Sequence, residues 1–313
     1  MLNRRFVREK TVQALYAFYQ GGSENAVTCE NNMLAGLQKT YELYICQFSF
    51  IVALSEYFNE KFSIGKQKFV PSDSDLNPNT RFPDNLAILH ICNSPIFQLK
   101  NESYKFNWES KKDILKSVYN DIIRSTIYGE YISSKETPTF TADQDFLCKI
   151  FKKKIANNSA FHAFCEEQSI FWICDFDSVS HWVSLSIKGM KENESECLEP
   201  AFSKEDEDIQ FAKTLLQKTL LHDNEYQKLI FERLENWDAD RVAMIELIIL
   251  KAALTELINF PSIPIKVSLN EYIEVSKRFC SEKSRIFVNG LLNKLASDLT
   301  ESKIIKKSGR GLI

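Results

Sequence analysis

The segment from Asp240 to Asn259 is apolar around nearly its whole circumference when its residues are placed at helical spacing. Such a helix has no polar face to turn toward water, and it usually lies at the centre of a bundle of helices. Pro261 and Pro264 end it, because proline lacks a backbone donor and disfavours helical geometry in the residue before it. The rest of the chain must therefore supply helices that surround this one.

Apolar residues recur at helical spacing along nearly all of the chain, and alternating, strand-like runs are scarce. A first helix covers 4–20 and a long second helix covers about 30–66, before a loop at about 67–83 that is rich in turn-forming residues. Further helices are predicted over 84–97, 108–133, 142–155, 158–167, 177–192, 209–221 and 223–234, from Ser268 onward, and over 284–299. The predicted fold class is all-α.

Two local signals mark the last two helices. Ser268 and Glu271 have the spacing of a reciprocal capping box, which predicts that a helix starts at Ser268. Gly290 lies inside the final helix, where glycine costs about 1 kcal/mol relative to alanine. We therefore expect a neighbouring helix, or a ligand, to approach closely at Gly290.

The charge balance limits what kind of nucleic-acid binding is possible. With 39 Lys and Arg against 42 Asp and Glu, the net charge is −3. A protein that coats nucleic acid without specificity is usually strongly basic, so any RNA site in this chain must be local. Basic residues crowd the first ten and the last eleven positions, and an acidic run at about 191–208 is typical of a solvated linker.

Motifs for catalysis, metal binding and membrane insertion are missing from the sequence. The eight cysteines are scattered and do not pair with the four histidines at zinc-ligand spacing, so we expect neither metal nor cofactor. A glycine-rich phosphate loop and a G-x-S-x-G motif are both absent, which predicts that the chain is not an enzyme. A membrane-length apolar run and a secretory signal are also absent, which predicts a cytoplasmic protein without membrane contact.

Six groups of residues follow one another in a diagnostic order. They are Arg4-Arg5 with Arg8, Val12-Gln13-Ala14-Leu15-Tyr16, Asn236-Trp237 with Arg241, Leu254-Thr255-Glu256-Leu257, Ile263 to Val267 with Asn270-Glu271, and Phe287-Val288-Asn289-Gly290. In this order they resemble the transcription antitermination factor NusB family. The resemblance covers roughly residues 1–22 and 205–300.

The resemblance implies a NusB-like helical bundle without enzymatic activity. Members of the family pair with a small ribosomal protein, NusE. The pair binds the boxA element of leader RNA, chiefly in ribosomal RNA operons, so that RNA polymerase reads through terminators. We therefore expect single-stranded boxA-like RNA and NusE as direct partners, and the RNA polymerase elongation complex as an indirect one.

The chain departs from the family by a large insertion. The implied organisation is a NusB-like RNA-binding domain over 1–22 and 205–300, an inserted helical region over 23–204, and a basic flexible tail over 301–313. The helix over 30–66 is a candidate replacement for the family's second helix. The aromatic residues of the insertion predict a packed core. They include Trp108, Phe161, Phe164, Phe171, Trp172 and Trp182.

The first helix carries candidate RNA-binding residues. At about 100° per residue, Arg5, Gln13, Tyr16 and Tyr19 lie opposite the apolar side of this helix. Arginine can contact phosphate, an amide can contact base edges, and tyrosine can stack on unpaired bases. The alternative is that both tyrosines pack under the insertion and the arginines are merely solvated. The candidates from this end of the chain are Arg4, Arg5, Arg8, Gln13 and Tyr16.

The resemblance adds Glu246, Ser284, Arg285 and Phe287 to the candidates for RNA contact. A helix N-terminus presents unpaired backbone donors to phosphate, and Arg285 adds a positive charge there. Each position also has a structural alternative: Ser284 as a helix cap, Phe287 as a core residue, and Glu246 as the buried partner of Arg241 or Lys251. Asn289 and Gly290 are expected to be structural.

Other functions remain open at this point. One is an RNA-binding scaffold in ribosomal RNA maturation. Another is a non-catalytic relative of the RNA-binding domain of ribosomal RNA cytosine methyltransferases, whose catalytic domain would need a Rossmann-type glycine loop that this sequence lacks. A third is a protein-interaction scaffold in which the insertion covers the RNA-binding face.

Overall fold

The computed structural model describes residues 4–22, 25–134, 137–202, 206–234 and 242–312. All regular elements in these ranges are helical, which confirms the all-α prediction. Across these ranges, the helices are too short or too polar to cross a membrane.

Sixteen α-helices form the described part of the chain. They are α1 (Arg4–Gln20), α2 (Ala26–Lys66), α3 (Asp73–Leu76), α4 (Leu86–Asn93), α5 (Pro95–Tyr104), α6 (Lys112–Ile123), α7 (Thr126–Ser133), α8 (Phe140–Ile150), α9 (Ser159–Gln168), α10 (Ile170–Ile173), α11 (Phe176–Gly189), α12 (Glu207–Leu221), α13 (Asp223–Phe231), α14 (Met244–Asn259), α15 (Ile265–Phe279) and α16 (Glu282–Glu301). A π-helical turn at Phe151–Ile155 extends α8, and 3-10 turns lie at Glu109–Lys111 and Gly309–Leu312.

Serine caps divide two helices that the sequence predicts as continuous. The predicted helix over 84–97 ends at Asn93, because the Ser94 hydroxyl caps α5 by accepting the Phe97 N–H and Pro95 occupies the first helical position. The predicted helix over 108–133 is interrupted in the same way at Ser125, whose hydroxyl accepts the Tyr128 N–H.

The chain folds into two compact units. The terminal unit takes in the described residues up to Leu37 and from Phe202 onward, and the inserted unit runs from Gln38 to Ala201. The first boundary lies beyond the predicted position 22, because the first turns of α2 bury Cys29 and Met33 in the core of the terminal unit. The chain enters and leaves the inserted unit at neighbouring points, where the Tyr41 hydroxyl donates to the Glu199 carbonyl at 3.0 Å.

Helix α14 is the centre of the terminal unit, as its apolar circumference predicts. Its residues from Ile248 to Leu257 are buried without interruption, and α12, α13, α15 and α16 pack against it together with α1. The predicted start of this helix at Asp240 lies outside the described residues. The Asn236-Trp237 motif and Arg241 also lie outside them.

Aromatic side chains build the core of the inserted unit. Phe50 and Phe161 stack at 4.1 Å between ring centroids, and Trp108 packs edge-on against Phe50 at 5.1 Å. The indole N–H groups of Trp108 and Trp172 donate hydrogen bonds, the first to the Ser49 hydroxyl and the second to the Lys39 carbonyl. The predicted packed core of the insertion is therefore present.

Helix α15 starts earlier than the capping pattern predicts. It begins at Ile265 with Pro264 as its cap, so Ser268 and Glu271 lie inside the helix rather than at its start. Proline is tolerated here because the first N–H groups of a helix have no acceptor within the helix, so the absence of the proline N–H breaks no hydrogen bond. The Ser268 hydroxyl is buried and donates to Glu256 instead, and Glu271 accepts from Arg5.

The segment after α16 is packed, which corrects the expected flexible tail over 301–313. Ile305 is 6% exposed and belongs to the core of the terminal unit. The Lys307 ammonium donates to the Phe260 carbonyl at 3.1 Å, and the Ser308 N–H donates to the Pro261 carbonyl at 3.0 Å. These contacts satisfy carbonyls just beyond the end of α14, which the helix itself cannot do.

We predict that Ile305→Ala destabilises the terminal unit by about 2–4 kcal/mol, since it removes a buried side chain from the core. Ile304→Ala is the matched control, because Ile304 is 46% exposed. Urea denaturation followed by circular dichroism measures both free energies of unfolding. Equal values for the two variants would mean that the segment is not packed in solution.

Candidate nucleic-acid interface

Helix α1 buries one side in the terminal unit and exposes the other. It packs against α12, α14 and α15. Arg4, Arg5 and Tyr16 are exposed, the last at 40%, and Gln13 is half-buried. Tyr16 is therefore accessible rather than covered. Tyr19 is half-buried and donates its hydroxyl to Asp223.

Arg8 does not lie on the exposed side. Its guanidinium donates two hydrogen bonds to the Glu256 carboxylate, at 2.7 Å from Nε and 2.8 Å from Nη2. Arg8 is 2% exposed and Glu256 is 0% exposed. The expected phosphate contact of Arg8 is therefore not available in this structure, because the helix turns this side chain toward the core.

Neighbouring groups complete the environment of this buried pair. The Ser268 hydroxyl donates to Glu256 Oε1 at 2.7 Å, and the Arg8 guanidinium lies 5.1 Å from the centre of the Phe211 ring. Burial lowers the pKa of Arg8, but the hydrogen bonds and charge of Glu256 outweigh it and leave the pKa raised. Arg8 therefore stays charged inside the bundle.

Glu271 holds Arg5 on the exposed face of α1. Arg5 donates to both carboxylate oxygens, at 3.0 Å from Nε and 2.9 Å from Nη2, and this interaction raises its pKa. The Glu271 carboxylate also lies 3.6 Å from Arg8 Nη1, so the exposed pair adjoins the buried one. Arg4 pairs separately with Asp208 at 3.1 Å. Both exposed arginines are therefore oriented before any ligand arrives.

A second buried network anchors the other end of α1. Lys251 of α14 is 3% exposed and donates to Asp223 at 2.5 Å and to Gln227 at 2.9 Å. The Tyr19 hydroxyl donates to the same Asp223 carboxylate, and burial, followed by this hydrogen bond, raises the pKa of Tyr19. Lys251 is thus not the partner of Glu246.

Glu246 caps the start of α14. Its Oε2 accepts the Ala243 N–H at 2.9 Å, and the residue is 7% exposed. The pairing with Arg241 that the sequence left open lies outside the described residues. Glu246 is held in place by the backbone, with little of its surface open to a ligand.

The start of α16 carries the other candidates that the resemblance supplies. Ser281, rather than Ser284, is the helix cap, because its hydroxyl accepts the Ser284 N–H at 3.3 Å. Ser284 and Arg285 are half-buried, and Arg285 Nε is buried without a hydrogen-bond partner in the structure. Phe287 is 7% exposed and belongs to the core. This end of the helix therefore offers Ser284 and Arg285 to a ligand.

Cys280 and Arg278 connect these two groups of candidates. The pKa of Cys280 is raised to about 11, chiefly by burial. The negative charge of Glu246 adds to this rise, and the positive charge of Arg285 opposes it. Glu246 and Arg285 thus both lie near Cys280. Two residues earlier, Arg278 Nε lies 3.2 Å from Glu9 Oε2 of α1. The end of α15 therefore contacts α1 through Arg278 and leads directly into the start of α16.

The ion pairs that orient the charged residues of α1 and α14 are not evident from the sequence. Glu256 and Lys251 are charged residues inside an apolar helix, and a buried charge requires a partner. That signal predicts ion pairs but does not name their partners. Glu271 gave no such signal, because its spacing from Ser268 matched a capping box.

The close approach expected at Gly290 is not found. Gly290 is exposed, and a Cβ added there would meet no heavy atom within 4 Å apart from its chain neighbours and the nearby backbone of its own helix. Asn289 is exposed too, and its side-chain oxygen accepts from Asn293 Nδ2 at 2.9 Å. A packed helix therefore does not explain the glycine, and the side-chain contact of Asn289 stays within its own helix.

We predict that Glu256→Gln destabilises the terminal unit by about 3–5 kcal/mol, because it leaves the Arg8 charge buried without its partner. Glu274→Gln of α15 is the control, since its carboxylate is 37% exposed and pairs with Lys277, and such surface pairs contribute about 0–1 kcal/mol. Urea denaturation measures both. If Glu256→Gln costs no more than the control, the buried pair does not hold α1 in place.

Comparisons with known proteins show which family the chain resembles. A model of the NusB family matches residues 180–297. The chain is 39% identical over 103 residues to the transcription antitermination protein NusB of Salinibacter ruber, a match that takes in 33% of this chain and 64% of that protein, just under two thirds.

Two further relatives are matched over most of their length. The NusB protein of Bacillus subtilis is 37% identical over 108 residues, which are 34% of this chain and 82% of that protein. The NusB protein of Geotalea daltonii is 33% identical over 127 residues, which are 41% of this chain and 88% of that protein. A solved structure of T. maritima NusB aligns over 52% of this chain and 93% of its own, at 22% identity and a TM-score of 0.29. With more than 30% identity over more than four fifths of two such proteins, the chain belongs to the NusB family.

Proposed function

We propose that this chain is an RNA-binding transcription antitermination factor and that its terminal unit binds the RNA. The observation that carries the proposal is the exposed face of α1, where Arg5 and Tyr16 stand outward on a helix whose other side is fixed by the buried Arg8–Glu256 pair. Relatives of this chain carry the name transcription antitermination protein NusB.

The proposed ligand is single-stranded boxA-like leader RNA of ribosomal RNA operons. We propose that NusE binds it together with this chain, that the RNA polymerase elongation complex is reached through them, and that this takes place in the cytoplasm. The net charge of −3 favours a short, local contact over a long basic track. The proposal is for a binding role without a catalytic step.

The face of α1 provides three kinds of contact with unpaired RNA. Arg4 and Arg5 meet phosphates, the Gln13 amide meets a base edge, and the Tyr16 ring stacks on a base. Arg5 and Tyr16 are eleven positions apart, so they lie about 20° from each other around the helix axis and about 16 Å apart along it. This distance suits several successive nucleotides of an extended strand.

The start of α16 extends this surface. Its unpaired backbone N–H groups and the Arg285 guanidinium attract phosphate, and the Ser284 hydroxyl adds a donor. Glu246 serves as the cap of α14 rather than as a base contact, because it is 7% exposed and its carboxylate accepts the Ala243 N–H. Phe287 serves as the buried support of this helix end, and Arg8 as the positioning residue of α1.

We predict that Tyr16→Ala weakens RNA binding about tenfold, because stacking of one base contributes about 1–3 kcal/mol. Arg5→Ala should weaken binding and reduce the dependence of affinity on salt, since one phosphate contact is lost. Arg124→Ala is the control, because Arg124 is exposed in the inserted unit. The measurement is filter binding to a boxA-like RNA across a salt series, with and without NusE.

Circular dichroism must show intact helices in every variant. Unchanged affinity and unchanged salt dependence in both Tyr16→Ala and Arg5→Ala would show that the face of α1 does not bind RNA. Equal affinity for boxA-like and scrambled RNA would refute the boxA assignment while leaving RNA binding in place. Loss of affinity in Arg124→Ala alone would move the RNA site to the inserted unit.

A further inference from the structure

The inserted unit contains a partly open cavity of about 340 Å³. This volume lies within the range of small-molecule sites in proteins. The cavity lies between α2 and the stretch that follows α5. Its walls are formed by residues of α2 from Ser49 to Glu60, by Asn101 of α5, and by residues 106–109, 112 and 115.

Carboxylates give the cavity a negative charge. Glu56, Glu60 and Glu109 line it together with Lys112, which leaves a net charge of −2. The Lys112 ammonium lies 2.7 Å from Glu109 and 3.0 Å from Glu60, and these two interactions raise its pKa. Lys112 is thus already paired, whereas Glu56 forms no hydrogen bond or ion pair with another described residue.

Two aromatic residues and one unpaired acceptor contribute to the wall of the cavity. Tyr57 and Trp108 are 4% and 8% exposed. The Asn101 side-chain oxygen is buried and has no hydrogen-bond partner in the structure. The Ser49 hydroxyl, 3% exposed, accepts from the Trp108 indole. An unpaired buried acceptor is costly, so a ligand would gain free energy by donating to the Asn101 oxygen once that side chain turns it toward the cavity.

These features select the charge and the chemistry of a ligand. The unpaired Asn101 oxygen, the Glu56 carboxylate and the net negative charge of the lining disfavour phosphates and carboxylates. No cluster of metal-ligating side chains occurs among the described residues, which disfavours a metal ion. An organic cation with an aliphatic body fits this lining, because its N–H groups donate to the carboxylates while its body packs against the exposed edges of Tyr57 and Trp108.

We propose that this cavity of the inserted unit binds a small organic cation, an amine or guanidine with an aliphatic body. Glu56 is the principal charge partner of the cation, Asn101 accepts one of its N–H groups, and Tyr57 and Trp108 pack against its body. The site is separate from the RNA-binding surface and does not depend on the proposed function.

The test is isothermal titration of the full chain with agmatine and with spermidine at low salt, with 1,4-butanediol as the neutral comparison. Glu56→Gln should weaken binding of the cations about fivefold or more, since it removes a charge–charge interaction. Lys112→Gln should tighten it, because the variant removes the positive charge of the lining. Glu130→Gln is the control, because Glu130 is exposed elsewhere in the same unit.

The proposal requires binding by at least one cation, no binding by the diol, and an unchanged affinity in Glu130→Gln. Binding too weak to detect at about 10 mM would overturn it. An equal loss in Glu56→Gln and Glu130→Gln would also overturn it, because affinity would then follow overall charge rather than this cavity. Circular dichroism of each variant separates loss of the site from loss of the fold.

Discussion

The ion pair between Arg8 and Glu256 fixes how the first helix lies on the central helix. Charges buried this deeply require close geometry and further hydrogen bonds. The two short Arg8–Glu256 contacts and the Ser268 hydroxyl supply them. With Arg8 facing inward, the rotation of α1 about its axis is set, and α12, α14 and α15 pack against the side that carries it.

The exposed surface follows from this rotation. With Arg8 inside, Arg5 and Tyr16 face outward, and Glu271 orients Arg5 beside the buried pair. The Lys251–Asp223 pair and the Tyr19 hydroxyl fix the far end of the same helix. Residues that look like a uniform basic patch in the sequence therefore differ in the structure: Arg8 is buried and positions the helix, whereas Arg4 and Arg5 are exposed and oriented by acidic partners.

The sequence predicted those features that depend on local pattern. The apolar circumference of α14 and the periodicity of α1 are properties of neighbouring residues, so the central helix and the exposed Tyr16 were predictable. Ion pairs depend on distant partners: Arg8 and Glu256 are 248 positions apart. Ser268 matched a capping box, but Pro264 had already set the start of α15. The polar composition after α16 concealed a segment held by the carbonyls of Phe260 and Pro261.

The central claim is that the exposed face of α1 in the terminal unit contacts the RNA. Photo-crosslinking of a boxA-like RNA carrying 5-iodouridine, followed by mass spectrometry of the linked peptides, tests it most directly. We expect crosslinks within α1 at Tyr16, because a base stacked on the ring would lie in contact with it. Crosslinks confined to residues 38–201, with α1 unmodified, would contradict it.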